Sequence, residues 1–231
     1  MVAKAQLRHT LLVFLCVIAA ACGDDAETID LFDAAEFFPV TDSLSRVYVV
    51  EEVIISPLGG SDTSRYELKQ VVGDYFLNSS GIENWNLYHY RRPDSLSDWT
   101  FLNTTPVRIQ EGNYIVTENN IPYVKLTSPL FDGKEWDGNA FNAMPPDTYH
   151  AEVIDFQYLS RDEPVQQIKV IQEMLLDTIV TKDIRMEAYV EGVGLTYRES
   201  ILLNYCTRPD CLGEGIVEDG RVYKQSLKEI W

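Results

Sequence analysis

Short runs of β-branched and aromatic residues, each stopped by a Gly, Pro, Asn or Asp cluster, recur from Arg46 to the C-terminus. Such punctuation leaves no room for long helices, and these side chains pack well on a pleated surface. Arg46 to Ser56 ends at Pro57-Leu58-Gly59-Gly60, and Tyr66 to Leu77 ends at Asn78-Ser79-Ser80-Gly81. Asn84 to Arg91 alternates Trp85, Leu87 and His89 against Asn86, Tyr88 and Tyr90, which places the two sets on opposite faces. Trp99 and Phe101 open a further strand, and Val107 to Gln110 and Tyr114 to Thr117 flank a hairpin-like turn at Glu111-Gly112-Asn113. Tyr123 to Thr127 and Tyr149 to Leu159 follow. Gln166 to Leu176 fits both an alternation and a helical stripe, and its β-branched content and short length favour a strand. Arg185 to Val190 and Leu195 to Leu203 pair about Glu191-Gly192-Val193-Gly194, and Asp219-Gly220 predicts a last type I′ hairpin. The expected class is all-β: a mostly antiparallel curled sheet, sandwich or half-barrel meander with few short helices.

The first residues carry a different chemistry. Lys4 and Arg8 precede an apolar run from Leu11 to Ala21, with Cys22 next. A basic start, a short apolar stretch and small residues before a cut site make a secretory signal peptide. The run is too short to span a bilayer, which takes about 20 apolar residues. Cys16 is a filler of that run. Ala19-Ala20-Ala21-Cys22 resembles the lipobox of bacterial lipoproteins, although Ala19 stands where Leu is usual. The resemblance implies cleavage before Cys22 and fatty acylation (palmitate) of that cysteine. The expected division is a signal peptide over 1–21, an acidic tether over 22–36 and one β-rich domain over 37–231, entered at Phe37-Phe38-Pro39. Gly23-Asp24-Asp25 with Glu27 resembles the acidic export signal of surface lipoproteins in Bacteroidota-type bacteria, which implies an outer-membrane anchor facing outwards.

Charge narrows the partners. The whole chain carries a formal −17, and removing 1–21 lowers the basic count from 19 to 17 against 36 acids, giving −19. Such a surface repels nucleic-acid phosphates and anionic lipid, so no nucleic-acid partner is expected and the membrane is reached through the N-terminal lipid. With Cys22 acylated, Cys206 and Cys211 remain, around Thr207-Arg208-Pro209-Asp210. In an exported protein two cysteines about a Pro-Asp turn read as a disulfide loop, and so short a loop contributes on the order of 2 kcal/mol.

Two blocks are distinctive: Pro129-Leu-Phe-Asp-Gly-Lys-Glu-Trp-Asp-Gly-Asn139 and Glu187-Ala-Tyr-Val-Glu-Gly-Val-Gly-Leu-Thr-Tyr-Arg-Glu199. With Phe37-Phe38-Pro39 and the lipobox, they resemble a group of exported lipoproteins of Bacteroidota-type bacteria that carry Gly-Lys-x-Trp-x-Gly-Asn and Tyr-x-x-Gly-Val-Gly-Leu segments. That group brings no reaction and no catalytic residues to transfer. Physically the blocks read as structural: Gly192 and Gly194 for a turn, Trp136 as an apolar plug at one end of the sheet. Asp132, Glu135 and Asp137 lack the order of a calcium loop, so no metal is expected.

After 1–21 are removed, only His89 and His150 remain among the histidines, and both read as ordinary strand residues. There is no nucleophile elbow, zinc-helix motif or phosphate loop, so neither a catalytic residue nor a cofactor is expected. Trp85, Tyr88, Tyr90 and Trp99, with Arg91 and Arg92 between, are candidates for a binding face that stacks on a glycan or anchors an envelope protein. The expected function is a lipid-anchored envelope protein with a non-enzymatic binding or scaffolding role. The alternative is a secreted or surface hydrolase of glycosidase type that uses paired carboxylates.

Overall fold

The computed structural model describes residues 29–156, 165–176 and 179–231. Cys22 and the signal segment lie outside the described residues, as does the end of the expected strand Tyr149 to Leu159. Among the described residues one short helix, α1 (Ala34–Phe37), precedes twelve strands. They are β1 (Ser45–Ile55), β2 (Ser61–Leu77), β3 (Glu83–Arg92), β4 (Thr100–Gln110), β5 (Asn113–Glu118) and β6 (Ile121–Thr127), then β7 (Glu135–Asp137), β8 (Thr148–Phe156), β9 (Val165–Leu175), β10 (Thr181–Val190), β11 (Gly194–Tyr205) and β12 (Val217–Ile230).

Every neighbouring pair is antiparallel, and the order β6-β5-β4-β3-β2-β1-β12-β11-β10-β9-β8-β7 is two meanders joined where β1 meets β12. The two edges then approach each other. Val124 N donates to Gly138 O (2.9 Å), and the Trp136 indole donates to Val124 O (3.0 Å). The sheet is therefore a nearly closed barrel, an arrangement that hides both edges from other chains.

One end of the barrel is plugged. Asp33 caps α1 through the Ala35 amide (3.0 Å) and accepts from the Ser128 hydroxyl (2.8 Å). Phe37 is fully buried, and Phe38 sits 5.6 Å from the Tyr114 ring and 6.2 Å from that of Tyr189. Phe32 bridges Leu130, and Ala34 is buried in the main core cluster. The folded part thus begins before the expected boundary at 37, because the apolar residues hidden in the acidic stretch close the barrel end.

Two further expectations are corrected. The predicted last hairpin at Asp219-Gly220 does not form, since both residues lie inside β12. A Cβ at Gly220 would stand 2.4 Å from Leu202 O, so this glycine permits close approach of β11 and is not a turn residue. The stretches around Phe101 and Val107 form one strand, β4, running through Pro106. Proline is tolerated there because β5 pairs only with Val107 to Gln110, leaving that stretch edge-like on one side. The turn at Glu111-Gly112 does form, with φ of 53° and 76°.

Candidate functional site: a charged lumen

On β10 the side chains of Arg185, Glu187 and Tyr189 share one face by alternation, and that face looks into the barrel. Register sets Glu187 opposite Arg198 on β11, and Arg198 opposite Gln225 on β12. From the other meander, β5 ends at Glu118 and β6 presents Lys125. The four charges meet inside. Lys125 Nζ lies 3.1 Å from Glu187 Oε1 and 3.4 Å from Glu118 Oε1. A terminal nitrogen of Arg198 lies 2.6 Å from the same Glu187 oxygen and 2.8 Å from Glu118 Oε1. The Tyr189 hydroxyl donates to the second Glu187 oxygen at 2.6 Å.

Two cations and two anions therefore alternate around a closed ring. The side chains of Glu187 and Lys125 are only 2% and 5% exposed. At that depth a lone charge is prohibitive, and the ring persists because each charge has two partners. Burial pushes the Glu118 carboxyl up, but Arg198 and Lys125 outweigh it and hold it at about 2. Glu187 follows the same logic and is also held below the usual carboxylate range, against its burial, by Arg198 and Lys125. Burial opposes the Arg198 charge, yet Glu118 and Glu187 drive its pKa well above the ordinary value. Burial, and then the Glu187 charge, raise the Tyr189 phenol far out of range, so it stays a donor.

These groups line a cavity of about 550 Å³. Facing the ring, β2 and β3 contribute Tyr66, Leu68, Leu87 and His89. Burial, and then the positive charge of Arg198, lower the His89 pKa to about 4, so the imidazole is neutral near pH 7. At the plugged end Arg46 donates to Val193 O (2.7 Å) and Pro39 O (3.0 Å). A Cβ on Gly194 would stand 2.7 Å from that guanidinium, which explains the second glycine of the Gly-Val-Gly block. At the other end Arg221 is held by Glu52 (2.7 Å) and Arg185 by Asp147 (3.0 Å), and Leu102 on the lining is 50% exposed, so the lumen opens there.

The residues singled out from the sequence fall elsewhere. Tyr88, Tyr90 and Trp99 lie on the outside of the barrel. Lys69 stands 4.8 Å from the Tyr90 ring and 4.9 Å from Trp99, and Arg92 stands 4.2 Å from Trp99. Tyr88 packs over Gly73, where a Cβ would come within 2.2 Å of its ring. Trp85 departs from this group: it points inward, packing against the cluster of Val72, Leu87, Val107 and Val116 and 5.3 Å from Tyr75. The structure does not gather the four aromatics on one surface. Cys206 and Cys211 are disulfide-bonded, with Cα atoms 5.8 Å apart, in the connection from β11 to β12.

The Gly-Lys-x-Trp-x-Gly-Asn block is a latch and not the end plug expected. Trp136 stitches the seam between β7 and β6, and its ring meets Tyr149 edge-on at 6.0 Å. A Cβ on Gly138 would fall 2.3 Å from the Tyr149 ring. The carboxylates here serve the backbone: Asp137 accepts from the Asn139 and Asp147 amides, and Asp132 accepts from the Val153 amide.

No protein-family model matches the chain, and no curated protein sequence matches it. Among solved structures it is similar to a "putative lipoprotein" from Parabacteroides distasonis ATCC 8503, with 13% identity and a TM-score of 0.38. It is also similar to a "putative exported protein with YmcC-like fold" from Bacteroides fragilis NCTC 9343, with 11% identity and a TM-score of 0.43. Each similarity covers 84% of this chain and 98% of the other. Both organisms are Bacteroidota.

Proposed function

We propose that this chain is a lipid-anchored protein of the cell envelope, on the outward face of the outer membrane, with a non-enzymatic binding role performed in its barrel lumen. The anchor reading is supported by the Ala-Ala-Ala-Cys22 junction and the acidic residues after it. The binding reading is carried by one observation: a cavity of about 550 Å³, within the size range of small-molecule sites, walled by charges already fixed in place by one another. A wall that needs no rearrangement to hold its polar groups suits recognition.

The hydrolase alternative asks for two carboxyls, one of them protonated at working pH to act as general acid. Of the lining carboxyls, Glu199 is paired with Lys224, and Glu118 and Glu187, which share the ring, are both held ionised by Lys125 and Arg198. That pair supplies acceptors and no acid.

Native extraction tests the binding role. The protein is purified from envelopes in mild detergent, denatured, and the released small molecules are measured by mass spectrometry. Wild type should release a molecule that Thr105→Trp, which fills the lumen wall, does not carry. Equal release from both proteins, or none from either, overturns the role. The anchor has its own test: Cys22→Ser should leave the membrane fraction and lose fatty-acid labelling, and unchanged labelling rejects it.

A further inference from the structure

We propose that the barrel end from which the N-terminal chain emerges rests on the bilayer, with the tip of the β2–β3 hairpin inserted among the lipids; this rests on Cys22 being the lipid anchor.

The hairpin tip is built for such a neighbour. β2 pairs with β1 only as far as Val71, opposite Ser45, and then runs on to Leu77. Tyr75, Phe76 and Leu77 follow one another there and are 52%, 41% and 57% exposed. Consecutive strand residues point to opposite faces, so exposure of all three means that the tip stands clear of the barrel on both sides. The turn beyond them closes on itself. Asn78 Oδ1 accepts from the amides of Ser80 (2.9 Å) and Ile82 (3.0 Å), the Asn78 amide donates to Ile82 O (3.0 Å), and the Gly81 amide donates to Asn78 O (2.9 Å). Backbone groups matched in this way cost little to take out of water, whereas open ones would bar the tip from lipid. The Tyr75 hydroxyl donates to Glu83 (3.4 Å), which leaves an apolar ring with a polar handle, the form that suits a bilayer interface. Residues 73–83 carry Asp74 and Glu83 and no Lys or Arg, so the contact is apolar and not an attraction to anionic lipid.

The chain itself selects this end. Exposed apolar side chains also occur at the opposite end, Leu58 and Leu96 among them. The N-terminal chain, however, arrives on the side of the β2–β3 tip. Phe32 bridges Leu130, and Ser128 donates its hydroxyl to Asp33 (2.8 Å) and its amide to Gly112 O (2.9 Å). Gly112 lies in the β4–β5 turn, which an antiparallel meander places at the same end as the β2–β3 turn. Ile29 and Leu31, both exposed, add to the apolar surface there. Seven peptide steps lead from Cys22 to Ile29 and reach at most ~25 Å. β2 has seventeen residues and is ~55 Å long, or ~40 Å in height at the tilt usual in barrels. A lipid on Cys22 therefore holds this end near the bilayer and cannot bring the opposite end down to it. The open mouth of the lumen then faces away from the membrane.

Tryptophan quenching tests the placement. The acylated protein is purified from envelopes and reconstituted in vesicles of phosphatidylcholine brominated on its acyl chains, where bromine quenches only indoles that enter the apolar layer. Leu77→Trp should add the quenching of one indole to that of the wild type, which has four. Phe76→Trp repeats the test one residue away. Leu58→Trp, an exposed site at the opposite end, should add none. All three positions are exposed, so the fold survives each substitution, and urea midpoints check it. No added quenching in either hairpin variant, or as much in Leu58→Trp, overturns the proposal. A chain that carries its fatty-acid label and still shows no added quenching overturns this inference and leaves the anchor standing. A chain without the label removes both.

Discussion

The ring inside the lumen and the cluster outside β2 to β4 are made of the same parts and do different work. Outside, Lys69 and Arg92 lie against Tyr90 and Trp99, and Glu67 takes both Arg92 and Lys228 (2.7 Å). The hydrogen bond from Lys228, helped by Arg92, lowers the Glu67 pKa against the rise from burial. Inside, Lys125, Arg198, Glu118 and Glu187 make equally short contacts; Lys125 and Glu187 are 5% and 2% exposed, whereas Arg198 and Glu118 keep 27% and 31% of their side chains open to the lumen. Distance alone would rank the two regions together. Solvent separates the Lys125–Glu187 pair from Lys228, which is 35% exposed: an exposed charge that loses its partner is rehydrated, whereas a buried one has nothing to turn to. The outer cluster therefore trims the surface, and the ring fixes how the two meanders sit against each other.

Removing Glu187 should have the largest effect. Glu187→Ala leaves Lys125 with Glu118 alone and strips Arg198 and Tyr189 of their shared acceptor, at a cost of about 3–5 kcal/mol. Urea unfolding measures it, and a loss below about 1 kcal/mol would show that the ring is no more cohesive than a surface pair.

An intermediate effect comes from pH. The folded-state pKa of His89 is about 4, against about 6.5 in an unfolded chain, so between these values the unfolded chain binds a proton that the folded one does not. Stability is thus full above about pH 6.5 and falls as pH drops towards 4, by on the order of 2–3 kcal/mol. His89→Gln should flatten that window. It should spare the later loss below about pH 4.5, where Glu118 and Glu187, ionised in the fold, are forced to protonate. Unfolding midpoints across pH check both halves, and an unchanged window in the variant would clear His89 of any part in it.

The smallest effect belongs outside. Trp99→Ala removes the contacts of Lys69 and Arg92 with that ring and should cost about 1 kcal/mol or less. A cost as large as that of Glu187→Ala would erase the contrast between the two regions.

Much of the architecture was legible without coordinates. Runs of β-branched and aromatic residues between turn clusters, with alternation in Asn84 to Arg91, marked β1, β3, β9, β10 and β11 to within a few residues, because strand preference and turn chemistry depend on the local chain. A sequence separation of five about a Pro-Asp turn was enough to foresee the Cys206–Cys211 bridge. The helix-or-strand ambiguity at Gln166 to Leu176 was settled correctly by composition. Asp219-Gly220 misled for a reason of the same kind: the pair has turn chemistry, but the close approach of β11 needed a residue without a side chain.

The site was not legible. On β10 both faces are hidden, with Ala188 and Val190 as buried as Glu187 and Tyr189. Alternation on such a strand does not tell which face is the interior. A signal did exist, since Arg185, Glu187, Arg198 and Glu199 crowd two adjacent strands, but nothing local says whether such charges look out or in. The sequence by itself determined which segments become strands, where they turn and which two cysteines meet, because these follow from backbone sterics and short-range contacts. Only the tertiary structure decided that Glu118, Lys125, Glu187 and Arg198 converge. That depends on β1 pairing with β12 and on Trp136 and Gly138 drawing β7 against β6, contacts between residues far apart in the chain that close the sheet and turn a strand face into an interior.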